Sequence, residues 1–215
     1  MTPRRFLWGF LCGLLATNVV PQNVHAAQYV IDPARSTLVI QLFKTGVGAA
    51  LAHDHVVRAT NYSGQIQLDS TAPTAAQIVV EVDAAALVVD EPETRRKYDL
   101  SLGLSDENRR EIQQTLESEG QLYVRRYPKI RFRSTRVTLE REGRYTVTGE
   151  LELRGVTRLV SLSLQAELQN EVLRGKGSGR FLQSSFGYQP YSAFLGAVRN
   201  QDEVVLQVDI IAVRR

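Results

Sequence analysis

His53 and His55, separated only by Asp54, form the segment of this chain with the greatest potential for chemistry. Residues two apart on a β-strand point to the same face, so the two imidazoles could hold one metal ion together or act as an acid–base pair. A stable metal site needs a third and a fourth ligand, and no sequence pattern places Glu81 or Asp83 nearby. We favour a structural role in which the imidazoles bind loop carbonyls. A metal-binding or redox-linked function of His53 and His55 stays the alternative.

The strand after the histidines predicts the direction in which they point. Ile66 is an apolar member of an alternating strand, and counting back from it by twos gives an inward set that includes Arg58 and Val56. His53 and His55 fall on the other face. We therefore expect both imidazoles to point outward unless a bulge shifts the register.

No other catalytic pattern is present in the sequence. It contains no G-x-S-x-G turn and no phosphate-binding glycine loop, its carboxylates are spread singly, and its one cysteine, Cys12, lies in an N-terminal leader. We therefore expect a protein that is not an enzyme and that requires no cofactor.

Residues 1–26 have the features of a secretory signal peptide. The basic start MTPRR is followed by the apolar run FLWGFLCGLLATNVV and by PQNVHAA, where Val24 and Ala26 favour cleavage after Ala26. The apolar run is shorter than the roughly 20 residues that span a bilayer, and no second such run follows it. These features predict a periplasmic protein whose mature part, residues 27–215, is one domain without a transmembrane segment or a disulfide.

The mature chain is close to electrically neutral. Subtracting Arg4 and Arg5 of the leader from the 26 Lys and Arg residues leaves 24 of them against 23 Asp and Glu residues. Basic clusters such as Arg95-Arg96-Lys97 have acidic neighbours, so we interpret them as solvated surface. A nucleic-acid partner requires a basic stripe, and the sequence contains none.

Strand patterns dominate the mature chain. Apolar residues occupy alternate positions in segments 145–153 and 160–168, and Gly143 and Gly155 mark turns before and between them. We count about eight strands, with a one-residue slip near Thr135 that indicates a bulge. Closure into an antiparallel barrel avoids exposed apolar edges, so we predict an all-β barrel.

One short helix is expected between the strands. Ser105 can cap a helix whose first turn contains Asp106 and Glu107, and Gly120 stands just beyond its end. The sequence therefore predicts a single helix inserted into an antiparallel barrel.

Four glycines fall on the inward face of two strands. Gly175, Gly177 and Gly179 precede Phe181 on one strand, and Gly149 interrupts the apolar alternation of another. Glycine in a strand costs stability, so we interpret the missing side chains as a hollow that a ligand fills. The alternative is that these glycines permit sharp coiling or the close approach of a loop.

Five segments of the mature chain form a pattern: YVIDPARSTLVIQL, YSGQIQLD, YPKIRF, TGELELRGVTRLVSL and SSFGY. Together they resemble the YceI family of exported proteins, from Tyr29 to Val213. The resemblance implies an extended, lipocalin-like antiparallel β-barrel whose apolar tunnel binds a polyisoprenoid or another long-chain amphiphile in the periplasm. Two segments depart from the family pattern: AHDH at 52–55, and LSDENRREIQQTLESEGQLYVRRYP, which we expect to change the lid over one barrel mouth.

We therefore predict a binding protein for a long apolar or amphiphilic ligand, of the polyprenol or isoprenoid quinone type, that stores the ligand or carries it across the periplasm. The candidate tunnel and rim residues are Leu42, Val47, Leu51, Ile66, Phe132, Gly149, Leu151, Leu164, Gly175, Gly177, Gly179, Phe181, Tyr188, Tyr191 and Phe194. The prediction allows transient membrane contact. A competing hypothesis is an interaction module whose outer face binds a membrane redox partner. The sequence leaves the oligomeric state open, a dimer included.

Overall fold

A computed structural model describes residues 26–215 of the chain. Most of the expected signal peptide, including Cys12, lies outside these residues. The strands are β1 (Ala27–Ile31), β2 (Thr37–Thr45), β3 (His55–Ala59), β4 (Tyr62–Leu68), β5 (Gln77–Asp83), β6 (Leu87–Val89), β7 (Lys129–Arg141), β8 (Arg144–Leu153), β9 (Val156–Gln169), β10 (Val172–Leu182), β11 (Ser192–Ala193) and β12 (Val198–Arg214), and the helices are α1 (Pro92–Lys97) and α2 (Asp106–Glu117).

The strands form one closed antiparallel barrel. Three pairs, β1 with β2, β3 with β4 and β5 with β6, are each consecutive halves of one long strand that a turn interrupts. Counted in this way, eight long strands follow one another around the barrel in chain order, each antiparallel to the next. β12 pairs with both β1 and β2 and closes the circle. The predicted eight-stranded antiparallel barrel is confirmed.

The predicted turns and the predicted bulge are present. Gly143, between β7 and β8, has a φ of 68°, and Gly155, between β8 and β9, has a φ of 72°. Glycine adopts this left-handed conformation without the steric cost that other residues have. The β7–β8 register shifts between Ser134 and Arg136, which confirms the bulge expected near Thr135.

Side chains replace lost ladder bonds where the first strand is interrupted. Between β1 and β2, the Ser36 hydroxyl accepts a hydrogen bond from the Ile211 amide at 2.9 Å and lies 3.2 Å from the Ile211 carbonyl oxygen, to which it donates. Asp32 begins this turn, and its carboxylate accepts hydrogen bonds from the amide of Ala34 and from Nε of Arg35. The chain therefore changes register here without leaving β12 unpaired.

The helix that the sequence predicts is α2, and a second helix precedes it. The Ser105 hydroxyl caps α2 by accepting a hydrogen bond from the Asn108 amide at 3.1 Å. The second helix, α1, begins at Pro92, a favourable residue for the first helical turn, and was not predicted. Both helices lie between β6 and β7, at the end of the barrel opposite the β7–β8 turn.

The two ends of the barrel differ in packing. We call the end with the β7–β8 and β9–β10 turns the hairpin end, and the end with α1, α2 and the loop at 183–197 the helix end. Tyr29, Ile66 and Val208 are buried in the core between them. The helix end contains a cavity.

Candidate ligand-binding cavity

An apolar cavity of about 320 Å³ lies inside the helix end of the barrel. Its wall is mainly leucine, isoleucine and valine from the inward faces of the strands, and α2 contributes one side. The lining residues are Leu38, Ile40, Leu42, His55, Val57, Ala59, Val80, Val82, Leu87, Val89, Glu111, Ile112, Thr115, Leu116, Gln121, Leu122, Ile130, Phe132, Leu151, Leu153, Phe181, Gln183, Tyr188, Tyr191, Asn200, Val204 and Leu206. A mostly apolar wall with a few polar groups is typical of small-molecule sites.

Helix α2 completes the wall where the sheet does not continue. β6 pairs with β3 on one side, and no strand within residues 26–215 pairs with its other edge. The Gln113 amide of α2 takes that place: its oxygen accepts from the Val89 amide at 3.0 Å, and its nitrogen donates to the Leu87 carbonyl at 2.8 Å. Ile112 and Leu116 line the cavity from the same helix. The long insertion before β7 therefore forms one side of the cavity.

Six of the fifteen candidate residues line this cavity. They are Leu42, Phe132, Leu151, Phe181, Tyr188 and Tyr191. Ile66 and Leu164 pack in the core without reaching it. Tyr188 is almost fully buried, its ring is 5.3 Å from the guanidinium of Arg154, and burial raises the pKa of its hydroxyl. Tyr188 and Tyr191, two aromatic residues of the loop after β10, thus belong to the cavity wall.

The expected hollow along the glycines is filled at three of the four positions. A Cβ at Gly177 would lie 1.9 Å from the Ser163 carbonyl oxygen, and one at Gly179 would lie 2.6 Å from the Ser161 carbonyl oxygen. At Gly149 the ring of Phe132 occupies the space. Only Gly175 has open space around it. None of the four lines the cavity, so the prediction of a glycine-lined hollow is wrong. Close approach of neighbouring strands explains Gly149, Gly177 and Gly179.

His55 points inward, contrary to the register counted from Ile66. The interruption between β3 and β4 at Thr60 and Asn61 shifts the alternation by one residue, so His55 and Val57 line the cavity. Arg58 falls on the outer face, where its guanidinium binds the Glu91 carboxylate through two hydrogen bonds of 2.6 and 2.7 Å. The expectation of an outward His55 and an inward Arg58 is therefore wrong.

Val56 also lies on the outer face of β3. It was expected to point inward, and it is fully buried because α1 packs against this part of β3. Val56 thus packs between the barrel wall and α1.

Asp90 holds the imidazole of His55 in place. Its Oδ2 lies 2.6 Å from Nδ1 of His55, and its Oδ1 accepts from the Val56 amide at 3.1 Å and from Nη1 of Arg95 at 2.6 Å. Asp90 is completely buried. Burial alone would raise the pKa of this carboxyl, but the hydrogen bonds from His55, Val56 and Arg95 outweigh it and hold the pKa below its ordinary value.

Arg95 is buried as well, although its cluster was interpreted as solvated surface. Only 2% of the residue is exposed. Besides Asp90, its guanidinium donates to the carbonyl oxygens of Asp54 at 2.9 Å and Ser101 at 2.6 Å. Helix α1 therefore places a cation behind the cavity wall, and the solvated interpretation is wrong for this residue.

His53 is exposed in the loop before β3 and, within residues 26–215, makes no hydrogen bond to this cluster. Burial, followed by repulsion from His55 and Arg95, lowers the pKa of His53. Among residues 26–215, no three His, Cys, Asp or Glu side chains are grouped as metal ligands would be. The pair His53 and His55 thus offers two ligands at most, and one nitrogen of His55 already faces Asp90.

Asp90, Arg95 and Gln113 are the residues of this site that the sequence analysis missed. The segment LVVDEP has a carboxylate directly after an apolar strand, which is a detectable sign of a buried acid. The partners of Asp90 are 35 and 5 residues away, at His55 and Arg95. No spacing in the sequence indicates either contact.

The predicted rim residues Val47, Leu51 and Phe194 are almost fully exposed, at 97%, 86% and 81%. The loops that carry them touch, because the Gly48 amide donates to the Ala197 carbonyl at 2.8 Å. None of the three lines the cavity. They form, with Leu195, an exposed apolar patch at the helix end, which we call the rim patch.

The fold and the cavity define a small antiparallel β-barrel with room for an apolar ligand. The chain belongs to the YceI family, because the YceI-like domain matches residues 29–212. The chain is 28% identical over 152 residues to a UPF0312 protein of Shewanella oneidensis, covering 70% of this chain and 68% of that one. It is 24% identical over 156 residues to one of Vibrio parahaemolyticus, covering 73% and 71%.

Solved structures of low sequence identity have the same fold. BcnA of Burkholderia cenocepacia superimposes with a TM-score of 0.64 at 16% identity, covering 85% of this chain and 99% of that one. The YCEI protein of Campylobacter jejuni superimposes with a TM-score of 0.54 at 14% identity, covering 74% and 84%. Within residues 26–215, neither helix has the length and apolar character to cross a bilayer.

Proposed function

We propose that this protein binds a single-chain amphiphile of the isoprenoid type in the barrel cavity, without transforming it, and carries it through the periplasm. The observation that supports this most directly is the apolar cavity at the helix end. Its volume of about 320 Å³ is near the lower limit for ligand sites, which suits part of a chain and not a long polyprenol in full. The remainder of a longer chain would leave through the mouth.

Burial of the chain provides the binding energy. Each buried methylene contributes about 0.8 kcal/mol, so a segment of about ten carbons contributes about 8 kcal/mol before the cost of association. The wall offers few polar groups in competition, because leucine, isoleucine and valine dominate it. Binding in this form selects for shape and apolar length.

The rim patch supports exchange of the ligand with a membrane surface. Phe194 and Leu195 have φ values of 51° and 55°, a left-handed conformation that is unfavourable for bulky residues. Leu195 is fully exposed in this conformation. An amphiphile resides in a bilayer before capture, and exposed apolar side chains beside the cavity allow transfer without passage through water.

Mass spectrometry of the native protein tests the proposed function. Protein exported with its own leader and purified without detergent should carry an extractable isoprenoid or similar chain, in a noncovalent complex of one ligand per barrel. Protein that is empty after this isolation, and that also binds no prenol, quinone or fatty chain when these are added, would contradict the proposal. That outcome would favour the interaction module, whose barrel is only a scaffold.

A further inference from the structure

We propose that His55 is the polar end of this ligand site and selects head groups that carry a hydroxyl donor over matched ethers and ketones. The inference rests on the proposed function, because it assigns the head-group chemistry of the same cavity. It starts from the hydrogen bond between His55 and Asp90, which fixes the position of one proton.

The carboxylate of Asp90 determines which ring nitrogen carries hydrogen. An ionised carboxylate only accepts hydrogen bonds, so Nδ1 of His55, 2.6 Å from Oδ2, must be the donor. Oδ1 is already occupied by the Val56 amide and Arg95. Arg95 balances the charge of Asp90, so the cluster is neutral when the imidazole is neutral. A neutral imidazole with hydrogen on Nδ1 presents Nε2 as an acceptor.

Within residues 26–215 no protein group forms a hydrogen bond with Nε2 of His55, and this nitrogen is not fully buried. The ring lines the cavity and its side chain is 15% exposed, while Asp90 binds the opposite edge of the ring from behind the wall. An acceptor in an apolar wall is unfavourable until a donor reaches it. A hydroxyl group on the ligand provides that donor, whereas an ether or ketone oxygen leaves two acceptors facing each other.

Other polar groups of the wall also carry hydrogen-bond acceptors. Gln183 donates its side-chain nitrogen to the Gln201 carbonyl at 2.8 Å, which orients this amide along the loop. Glu111, from α2, is the one carboxylate among the described residues of the wall. The matched control for a role of His55 is His53→Phe, the same substitution at an exposed histidine that does not line the cavity.

The test compares farnesol with its methyl ether at about pH 8, where histidine side chains are ordinarily neutral. Dissociation constants are measured by displacement of a fluorescent fatty-acid probe. We expect the native protein to bind farnesol about tenfold more tightly than the ether. His55→Phe should bind both equally, and His53→Phe should keep the tenfold preference.

A measurement on the native protein covers the case in which His55→Phe does not fold. NMR of isotope-labelled histidine nitrogens should find hydrogen on Nδ1 of His55 and a shift of the Nε2 resonance with farnesol that the ether does not produce. Equal affinities in the native protein, an Nε2 that carries the proton, or a preference that survives in His55→Phe would overturn the inference while the proposed function stands. Binding of neither compound would overturn both.

Discussion

Nδ1 of His55 lies 2.6 Å from Oδ2 of Asp90, so a residue in the cavity wall is held by a carboxylate that is itself completely buried. The same carboxylate binds Arg95 of α1. The orientation of the ring therefore depends on an ion pair behind the wall, and α1 and the cavity are coupled through three side chains. Removing one partner of a buried ion pair of this kind strongly destabilises the folded protein, because the other charge stays buried without a counter-charge.

Asp90→Asn should lower the free energy of unfolding by about 3–5 kcal/mol, because it leaves the Arg95 guanidinium buried without a counter-charge. Glu91→Gln is the matched control. It removes the partner of Arg58 at the half-exposed surface and should cost less than about 1 kcal/mol. Urea unfolding measures both, and similar losses for the two variants would contradict the role assigned to Asp90.

The acid sensitivity of the fold should depend on the same carboxyl. The folded pKa of Asp90 is below its ordinary value of about 3.9, so its stabilising contribution is complete above that value and is lost as the pH falls through the folded pKa. The free energy of unfolding should therefore decrease less steeply with acid in Asp90→Asn than in the native protein.

Asp69→Asn provides the comparison for the acid experiment. Thr71 lowers the pKa of this carboxyl by hydrogen bonding at an exposed turn. The substitution should change the acid dependence less than Asp90→Asn does. Urea unfolding across the acid range distinguishes them, and an unchanged slope in Asp90→Asn is the result that speaks against the argument.

The glycines of β10 should differ in what a methyl group costs. Gly177→Ala would place Cβ against the Ser163 carbonyl oxygen and should destabilise the barrel by more than about 1 kcal/mol, while Gly175→Ala has free space and should be neutral or stabilising by about 0.5–1 kcal/mol. Neither should change ligand binding, because neither residue lines the cavity. Thermal unfolding measures the stability of the two variants, and probe displacement measures their ligand affinity. A loss of binding in Gly177→Ala would favour the glycine-lined hollow after all.

The barrel was predictable because apolar residues alternate along β8 and β9. One face of segments 145–153 and 160–168 is buried, and that pattern fixes their register without knowledge of their neighbours. The cavity was less predictable. Its position follows from the interruption at Thr60 and Asn61, which turns His55 inward, and neither residue is a glycine or proline that would mark a break.

The glycines on the inward faces of β8 and β10 were misleading for a related reason. A glycine on the inward face is compatible with a hollow or with a neighbour that approaches closely, and only the position of Phe132 and the Ser163 carbonyl decides between them. Asp90 and Arg95 were missed because their burial comes from α1, whose six residues are too short for a clear helical period. Contacts distant in sequence thus account for the errors.

Filling the cavity should remove binding at little cost in stability. Val80→Phe adds volume where the wall faces empty space, so ligand affinity should fall at least about tenfold while the barrel loses less than about 1 kcal/mol. Ile66→Phe adds similar volume to the packed core and should lose about 1–3 kcal/mol with binding nearly unchanged. Probe displacement and urea unfolding give both quantities. If Val80→Phe bound as the native protein does, the ligand would have to lie elsewhere.

The rim patch should bind the protein to membranes. Phe194→Ser combined with Leu195→Ser removes two of its exposed apolar side chains, each of which contributes about 1.5–3 kcal/mol when fully buried, so binding to anionic vesicles should weaken at least about tenfold. Leu159→Ser is the control, because Leu159 is 68% exposed on β9, outside the rim patch. Lys44 and exposed Arg199 flank the loops, so added salt should weaken the binding further. Vesicle sedimentation measures the binding of each variant to the membrane.

Two outcomes would contradict this prediction. Equal sedimentation of the double variant and the Leu159 control would place the membrane contact outside the rim patch, and no sedimentation of the native protein would exclude the contact altogether.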